Sequence, residues 1–350
     1  MDTLLVFVLL FGVMIFVHEL GHFLVGKLAG VWVDEFGFGY PPRLFSLGKW
    51  KGTEYTVNAL PVGGFVSMGE EDTSRPDSLA NQSGRVRALV FAAGPFMNLI
   101  LAVVCYILVF MFGQQQWIGR VVIKDIAADS PAAVAGLKAG DEIVQINDVK
   151  IESTWDLHRE TQLAAGREVT LVVQRGAERL TFAMVPRPRP PAGQGPLGVV
   201  ITLDDARVVT VRYPIWQAIP ASLLRTGETL AMIVGGLWRM IRGTIPADVT
   251  GPIGLYQVTG EVARSGWVNL LDLTALVSVN LFLINLLPLP PLDGGRLLFI
   301  ALEVVRGGRR IEVQKEGIVH RIGMLILLAL MFLIAYKDLL RLIRGESFLP

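Results

Sequence analysis

The sequence predicts a helical membrane protein that carries a water-facing α+β portion between its spans. Three observations support this class. Hydrophobic residues make up 52% of the 350-residue chain and charged residues 18%, against roughly 45–50% and about 25% in soluble domains. Separate apolar runs approach the roughly 20 residues that a helix needs to cross a bilayer. Between the second and third runs lies a polar stretch of short, alternating β-rich segments.

The first run extends from Leu4 to about Val25 and the second from about Ala88 to Phe112. The third extends from about Leu270 to Leu287, and a shorter fourth from about Ile322 to Tyr336, where Arg321 and Lys337 can snorkel. The first run reads as a retained span, not a cleaved signal, because Asp2 replaces a basic start and no clean small-x-small site follows. Residues 31–69 read as strands and turns, with "VWVDEFGFGY" and "TEYTVNALPVGGFVSM" both alternating. Residues 113–203 read as a water-soluble domain. Its segment "STWDLHRETQLAA" is helical, with Ser153 or Thr154 as N-cap. "PRPRPPAGQGP" is a stiff exposed loop. Residues 204–266 hold a short, Arg-flanked apolar stretch, "TLAMIVGGLWRMI", expected to lie in the membrane interface. The chain therefore divides into 1–112, 113–203, 204–266 and 267–350.

A net charge of +1 leaves no basic field for a nucleic-acid partner. Cys105 is the one cysteine, which excludes a disulfide framework and a cysteine-built metal site within the chain. Lys27, Arg43, Lys49, Lys51, Arg75, Arg85 and Arg87 crowd the segment between the first two spans. Arg296, Arg306, Arg309, Arg310, Lys315 and Arg321 crowd the one between the last two. Both segments are expected on the cytoplasmic side, with residues 113–203 outside.

Chemistry concentrates in the first span. His18 and His22 of "HELGH" are four residues apart, about 40° around a helix, so both imidazoles share a face. Glu19, offset by one residue, can reach an attacking water without binding the metal. An ionisable cluster inside a span costs about 2.5–3.5 kcal/mol per charge on insertion scales and is rarely idle. Two histidines leave a catalytic zinc one protein ligand short. His158 and His320 are poorly placed to supply it. Asp293, in "NLLPLPPLDGGRL" at the end of the third span, is the candidate. The prolines there break the helix, and such a break at membrane depth belongs beside protein or a water-filled cavity. His22 and Asp293 then fall at the cytoplasmic ends of their spans. Asn98 of "AGPFMN" either lines that cavity or hydrogen-bonds across helices.

These motifs resemble the bacterial site-2 protease family, intramembrane zinc metalloproteases of the regulator of sigma factor protease type. The likeness rests on His18-Glu19-x-x-His22, on Asn285-x-x-Pro288-x-Pro290-x-Leu292-Asp293-Gly294, on "AGPFMN", and on "FGFGY" and "PVGGFV". It implies four transmembrane helices, a membrane-associated β-segment and an inserted extracytoplasmic PDZ domain. It further implies zinc held by His18, His22 and Asp293, acid/base catalysis by Glu19, and Asn285 near substrate or the oxyanion. Expected partners are single-span membrane proteins such as anti-sigma factors, remnant signal peptides, and the lipid of a bacterial inner membrane. Residues 128–151 carry the PDZ resemblance, and residues 113–203 can hold only one such domain. Its groove is expected beside "WIGRVV", 117–122, where it either binds peptide C-termini by strand addition or acts as a size filter. Two other readings exist. A structural metal site with an adaptor role does not explain the uncommitted carboxylate of Glu19, and a zinc transporter does not explain the lack of internal repeats.

Overall fold

The computed structural model describes residues 2–70, 72–191, 193–244 and 251–344. In chain order the elements are α1 (Thr3–Leu28), β1 (Glu35–Trp50), β2 (Thr53–Ser67) and α2 (Gly84–Phe112). Then come β3 (Gln114–Ile126), α3 (Pro131–Ala135), β4 (Glu142–Ile146), β5 (Val149–Lys150), α4 (Thr154–Leu163), β6 (Val169–Arg175), β7 (Glu178–Met184) and β8 (Val199–Val211). The last are α5 (Ile215–Ile241), α6 (Pro252–Ser265), α7 (Trp267–Asn285), α8 (Asp293–Val305) and α9 (Val313–Ile343). They form two compact units, Met1–Val109 with Ala218–Pro350, and Phe110–Gln217.

In the first unit, four helices among the described residues are long and apolar enough to cross a membrane: α1, α2, α7 and α9. Each begins or ends beyond its apolar run, because polar flanks such as Gly84–Arg87 and Val313–Arg321 continue the helical backbone. Asp2 caps α1 by accepting a hydrogen bond from the Leu4 amide at 3.0 Å. Leu10 and Met14 of α1 bury against Leu273 and Val277 of α7. Phe96 of α2 meets Phe282 of α7 edge-on at 5.3 Å. The interfacial stretch is longer than expected: α5 has 27 residues, and a further helix, α6, follows it.

β1 and β2 wrap around each other. Residues 35–38 oppose both 54–57 and 64–67, while 43–50 pair back along 53–58. Phe36 is clamped on α1, stacked on Phe23 at 4.5 Å and 5.5 Å from Phe16. The 63–67 arm lies directly on α1. A Cβ at Gly63 would sit 2.3 Å from Ile15, and one at Gly64 3.0 Å from the Glu19 side chain.

Asp338 of α9, 1% exposed, reaches the start of α6. Its carboxylate accepts from the amides of Gly251 at 3.3 Å and Gly254 at 2.9 Å. Gly251, as N-cap, brings no side-chain acceptor of its own. These bonds answer helix-end amides with a charge of the favourable sign. Asp338→Ala is expected to cost about 2–3 kcal/mol, the range for buried hydrogen bonds to a charged group. Chemical unfolding of the detergent-solubilised chain measures it, and a cost near zero would show that α6 finds other acceptors.

The second unit is a sheet of order β7-β6-β4-β3-β8, with β5 beside β4. Its core includes Val121, Ile123, Ile143, Ile146, Leu171, Val173 and Leu197, covered by α3 and α4. α4 starts at Ser153, whose Oγ accepts from the Asp156 amide at 3.0 Å. Asp141, its side chain 1% exposed, accepts from Arg175 Nε at 2.7 Å and from the Lys138 amide at 2.8 Å. Burial favours its neutral form, but these donors outweigh it and hold the carboxyl below the usual aspartate range. The sheet continues to Val211, beyond the expected boundary near 203. Beside 117–122, β3 has β8 along one edge, while β4 covers the other only at Val121 and Val122. A cavity of about 320 Å³ lies there, lined by Ile118, Gly119, Arg120, Glu142, Lys150 and Asp205 among others. A second cleft, of about 100 Å³, lies between α4 and the 195–201 stretch, lined by Leu157, His158, Leu197, Val199 and Ile201 among others.

Candidate metal centre

His18 and His22 lie on one face of α1, with ring centroids 4.8 Å apart. Their Nε2 atoms are separated by 3.1 Å. Asp293, the first residue of α8, brings Oδ2 to 3.1 Å from His18 Nε2 and 3.5 Å from His22 Nε2. Among the described residues these three form the one group of histidine, cysteine and carboxylate atoms close enough to hold a metal together.

The break after α7 places the carboxylate. The 286–292 loop turns the chain, and α8 then starts tight against it. A Cβ at Gly294 would lie 2.2 Å from the Leu287 carbonyl oxygen, and one at Gly295 2.7 Å from that of Leu289. Glycine at both positions lets the first turn of α8 fold onto the loop backbone. The sequence suggested a helix stop here and did not reveal a new helix.

The imidazoles are set by α2. His22 Nδ1 lies 2.7 Å from the Val90 carbonyl oxygen. A carbonyl only accepts, so Nδ1 carries the proton and Nε2 presents a bare lone pair. One turn on, Gly94 leaves room for both rings: a Cβ there would be 2.2 Å from His22 Nε2 and 2.8 Å from His18 Nε2. A further turn on, the buried Asn98 amide stands 3.4 Å from His18 Nδ1, with Oδ1 otherwise unpaired. Amide oxygen and nitrogen are interchangeable in outline, and turning Oδ1 toward Nδ1–H satisfies both groups. That too leaves Nε2 bare. Two lone pairs and a carboxylate oxygen then face one another, an arrangement that repels itself unless a cation joins it. Ligand bonds of about 2.0–2.1 Å in a tetrahedral set put ligand atoms about 3.3–3.4 Å apart. The observed separations of 3.1, 3.1 and 3.5 Å bracket that value.

A sequence model for peptidase family M50 matches residues 6–330. The chain belongs to that family. It is 30% identical over 431 residues to the zinc metalloprotease RasP of Oceanobacillus iheyensis, with 98% of this chain and 100% of that protein covered. It is 28% identical over 429 residues to the regulator of sigma-W protease RasP of Bacillus subtilis, covering 97% and 99%. Among solved structures, 23% of the chain matches 86% of the PDZ domain of an SdrC-like protein from Listeria monocytogenes at 20% identity. The TM-score of 0.22 is too low to bear on the fold.

The other expected residues of this M50 peptidase fall as follows. Glu19 is one residue beyond His18, half-buried, packed on Gly64 and outside the three-atom group. Asn285 is the last residue of α7, half-buried. His158 lines the cleft of the second unit, and His320 stands 3.8 Å from Glu316 on α9. Sequence reasoning missed Val90 and gave Gly94, within "AGPFMN", no role at the imidazoles. Their spacing with Asn98, four residues each, marks one face of α2 and was the available signal.

Proposed function

We propose that this M50 peptidase is an intramembrane zinc endopeptidase that cuts the transmembrane segments of single-span membrane proteins. The observation that carries the reading is the group of His18 Nε2, His22 Nε2 and Asp293 Oδ2, built on α1, long and apolar enough to span a membrane, and on the first residue of α8. These three residues would hold the zinc. When bound, zinc supplies a Lewis acid for the scissile carbonyl and for the attacking water. The Glu19 carboxylate takes the proton of that water and delivers it to the leaving nitrogen. Val90 and Asn98 keep both Nε2 lone pairs available throughout.

A peptide bond in a helix is shielded by its own hydrogen bonds, so the substrate span must unwind. Residues 64–67 pair with 35–38 along one edge, and among the described residues no strand occupies the other. That edge lies against Glu19 and would receive the unwound segment by strand addition. Asn285 would act near substrate. The second unit would be a PDZ domain outside the cell membrane, admitting trimmed substrates by binding C-termini in the α4 cleft or by excluding bulk. The chain would sit in the bacterial inner membrane with its metal site toward the cytoplasm, and anti-sigma factors and remnant signal peptides are the substrate classes that fit.

Incubating the reconstituted full chain with a single-span substrate tests this. Fragment masses should place the cut within the apolar span, a chelator should abolish it, and added zinc should restore it. Cleavage confined to water-exposed segments, or unaffected by chelation, would refute the proposal.

A further inference from the structure

α8 carries more than the Asp293 carboxylate. Arg296, Ile300 and Glu303 follow it at spacings of three, four and three residues, which puts all four on one helical face. Each of the three meets something fixed. Arg296 pairs with Glu70, and its guanidinium lies 5.0 Å over the Phe91 ring of α2. Ile300 buries with Val31, Met68, Leu79, Val90 and Phe91. Glu303 pairs with Arg87 in the first turn of α2, whose side chain is 5% exposed. The opposing face of α2 runs Arg87, Val90, Phe91, Gly94 and Asn98, and the last part of it sets the two imidazoles. α8 and α2 therefore share one contact line, with an ion pair at one end and the metal-binding atoms at the other.

We propose that Arg87 and Glu303, seconded by Arg296 and Glu70, are positioning residues that fix the register of α8 on α2 and so place Asp293 for zinc. Stability is a poor account of the pair. Replacing a buried ion pair with apolar residues is often neutral or stabilising, and fixing one register is the best-attested use of such a pair. The geometry makes register matter. Glu303 stands ten residues from Asp293, about 15 Å along the helix, and a slip of one turn moves the carboxylate by about 5.4 Å. Asp293 Oδ2 sits 3.1 and 3.5 Å from its partner nitrogens, so such a slip removes it from the group. Apolar contacts through Ile300 alone would tolerate that slip, because neighbouring turns also present apolar side chains such as Leu297 and Val304. A buried guanidinium does not, since it would be left unpaired.

The inference rests on the proposed zinc site and concerns metal placement only, so its test reads zinc binding and not cleavage. Full-length Glu303→Gln, near-isosteric and uncharged, is purified and its zinc affinity measured by competition with a fluorescent chelator. The expected result is a loss of about 10–100-fold, as for residues that orient metal ligands at one remove. The exchanged pair, Arg87→Glu with Glu303→Arg, should recover most of the affinity lost by either single change. The heat-unfolding midpoint of the metal-free chain is the control, because a merely structural pair would lower it and leave zinc affinity alone. Wild-type affinity in Glu303→Gln, or an exchanged pair no better than the worse single variant, overturns the proposal. If zinc binding obeys these expectations but no substrate is cut, the clamp stands and the proposed function fails.

Discussion

Glu19→Gln is expected to keep its zinc and lose about 10³–10⁴-fold in the cleavage rate, the upper part of the range for removing a general acid/base. The expectation has two halves. Glu19 is outside the group formed by His18, His22 and Asp293, so removing its charge takes away no ligand atom. Glutamine has the same shape and can keep the packing on Gly64, where glutamate Cβ and Cγ lie 3.0 and 3.2 Å from the position of a Cβ. What it cannot do is accept the proton of the attacking water, since a neutral amide is no base at ordinary pH. Single-turnover cleavage of a reconstituted single-span substrate measures the rate, and metal analysis of the same preparation measures the zinc. A variant that loses zinc with activity would place Glu19 among the ligands. One that cuts at the wild-type rate would remove it from the chemistry.

Much of the site was legible because its signals are local or carry their own period. Histidines four apart on a helix share a face whatever the rest of the chain does. The prolines of residues 288–291 announce a broken helix, and a carboxylate beside such a break at membrane depth invites a partner. The four spans were legible from composition, and α4 from its Ser153 cap. The rest depends on contacts between residues far apart in sequence. Arg87 meets Glu303 across 216 residues and Asn98 meets His18 across 80. α8 escaped notice because the prolines before it read as the end of the third span, and nothing in the sequence announced that the glycines of the next turn let a new helix fold onto the loop. The cleft between α4 and the 195–201 stretch escaped notice for a related reason. It joins segments far apart in sequence, as does the pairing of β8 with β3, in which Trp117 meets Val208 and Val122 meets Thr202.

Gly94→Ala should abolish tight zinc binding, by at least about 100-fold, and leave the metal-free fold intact. The added methyl would stand 2.2 Å from His22 Nε2, 2.5 Å from His22 Cε1 and 2.8 Å from His18 Nε2. It would thus occupy space between the two nitrogens that face Asp293. Two adjustments could relieve the clash. The His22 ring could swing away, which breaks its 2.7 Å bond to the Val90 carbonyl and frees the tautomer that exposes Nε2. Alternatively α1 and α2 could separate. Gly21, whose own Cβ would lie 2.4 Å from the Ala93 carbonyl oxygen, shows how closely the helices approach at this level, so separation would open a gap in a packed contact. Either response moves at least one ligand atom out of the group. Gly94 lies within α2, where alanine favours a helix over glycine by about 1 kcal/mol, but the ring of Pro95 crowds a Cβ on the helical residue before it and offsets that gain. The heat-unfolding midpoint of the metal-free chain should therefore change little while zinc content falls toward zero and cleavage falls with it. Loss of fold together with zinc would trace the effect to helix packing. Full zinc occupancy in Gly94→Ala would mean that α2 does not hold the imidazoles in place.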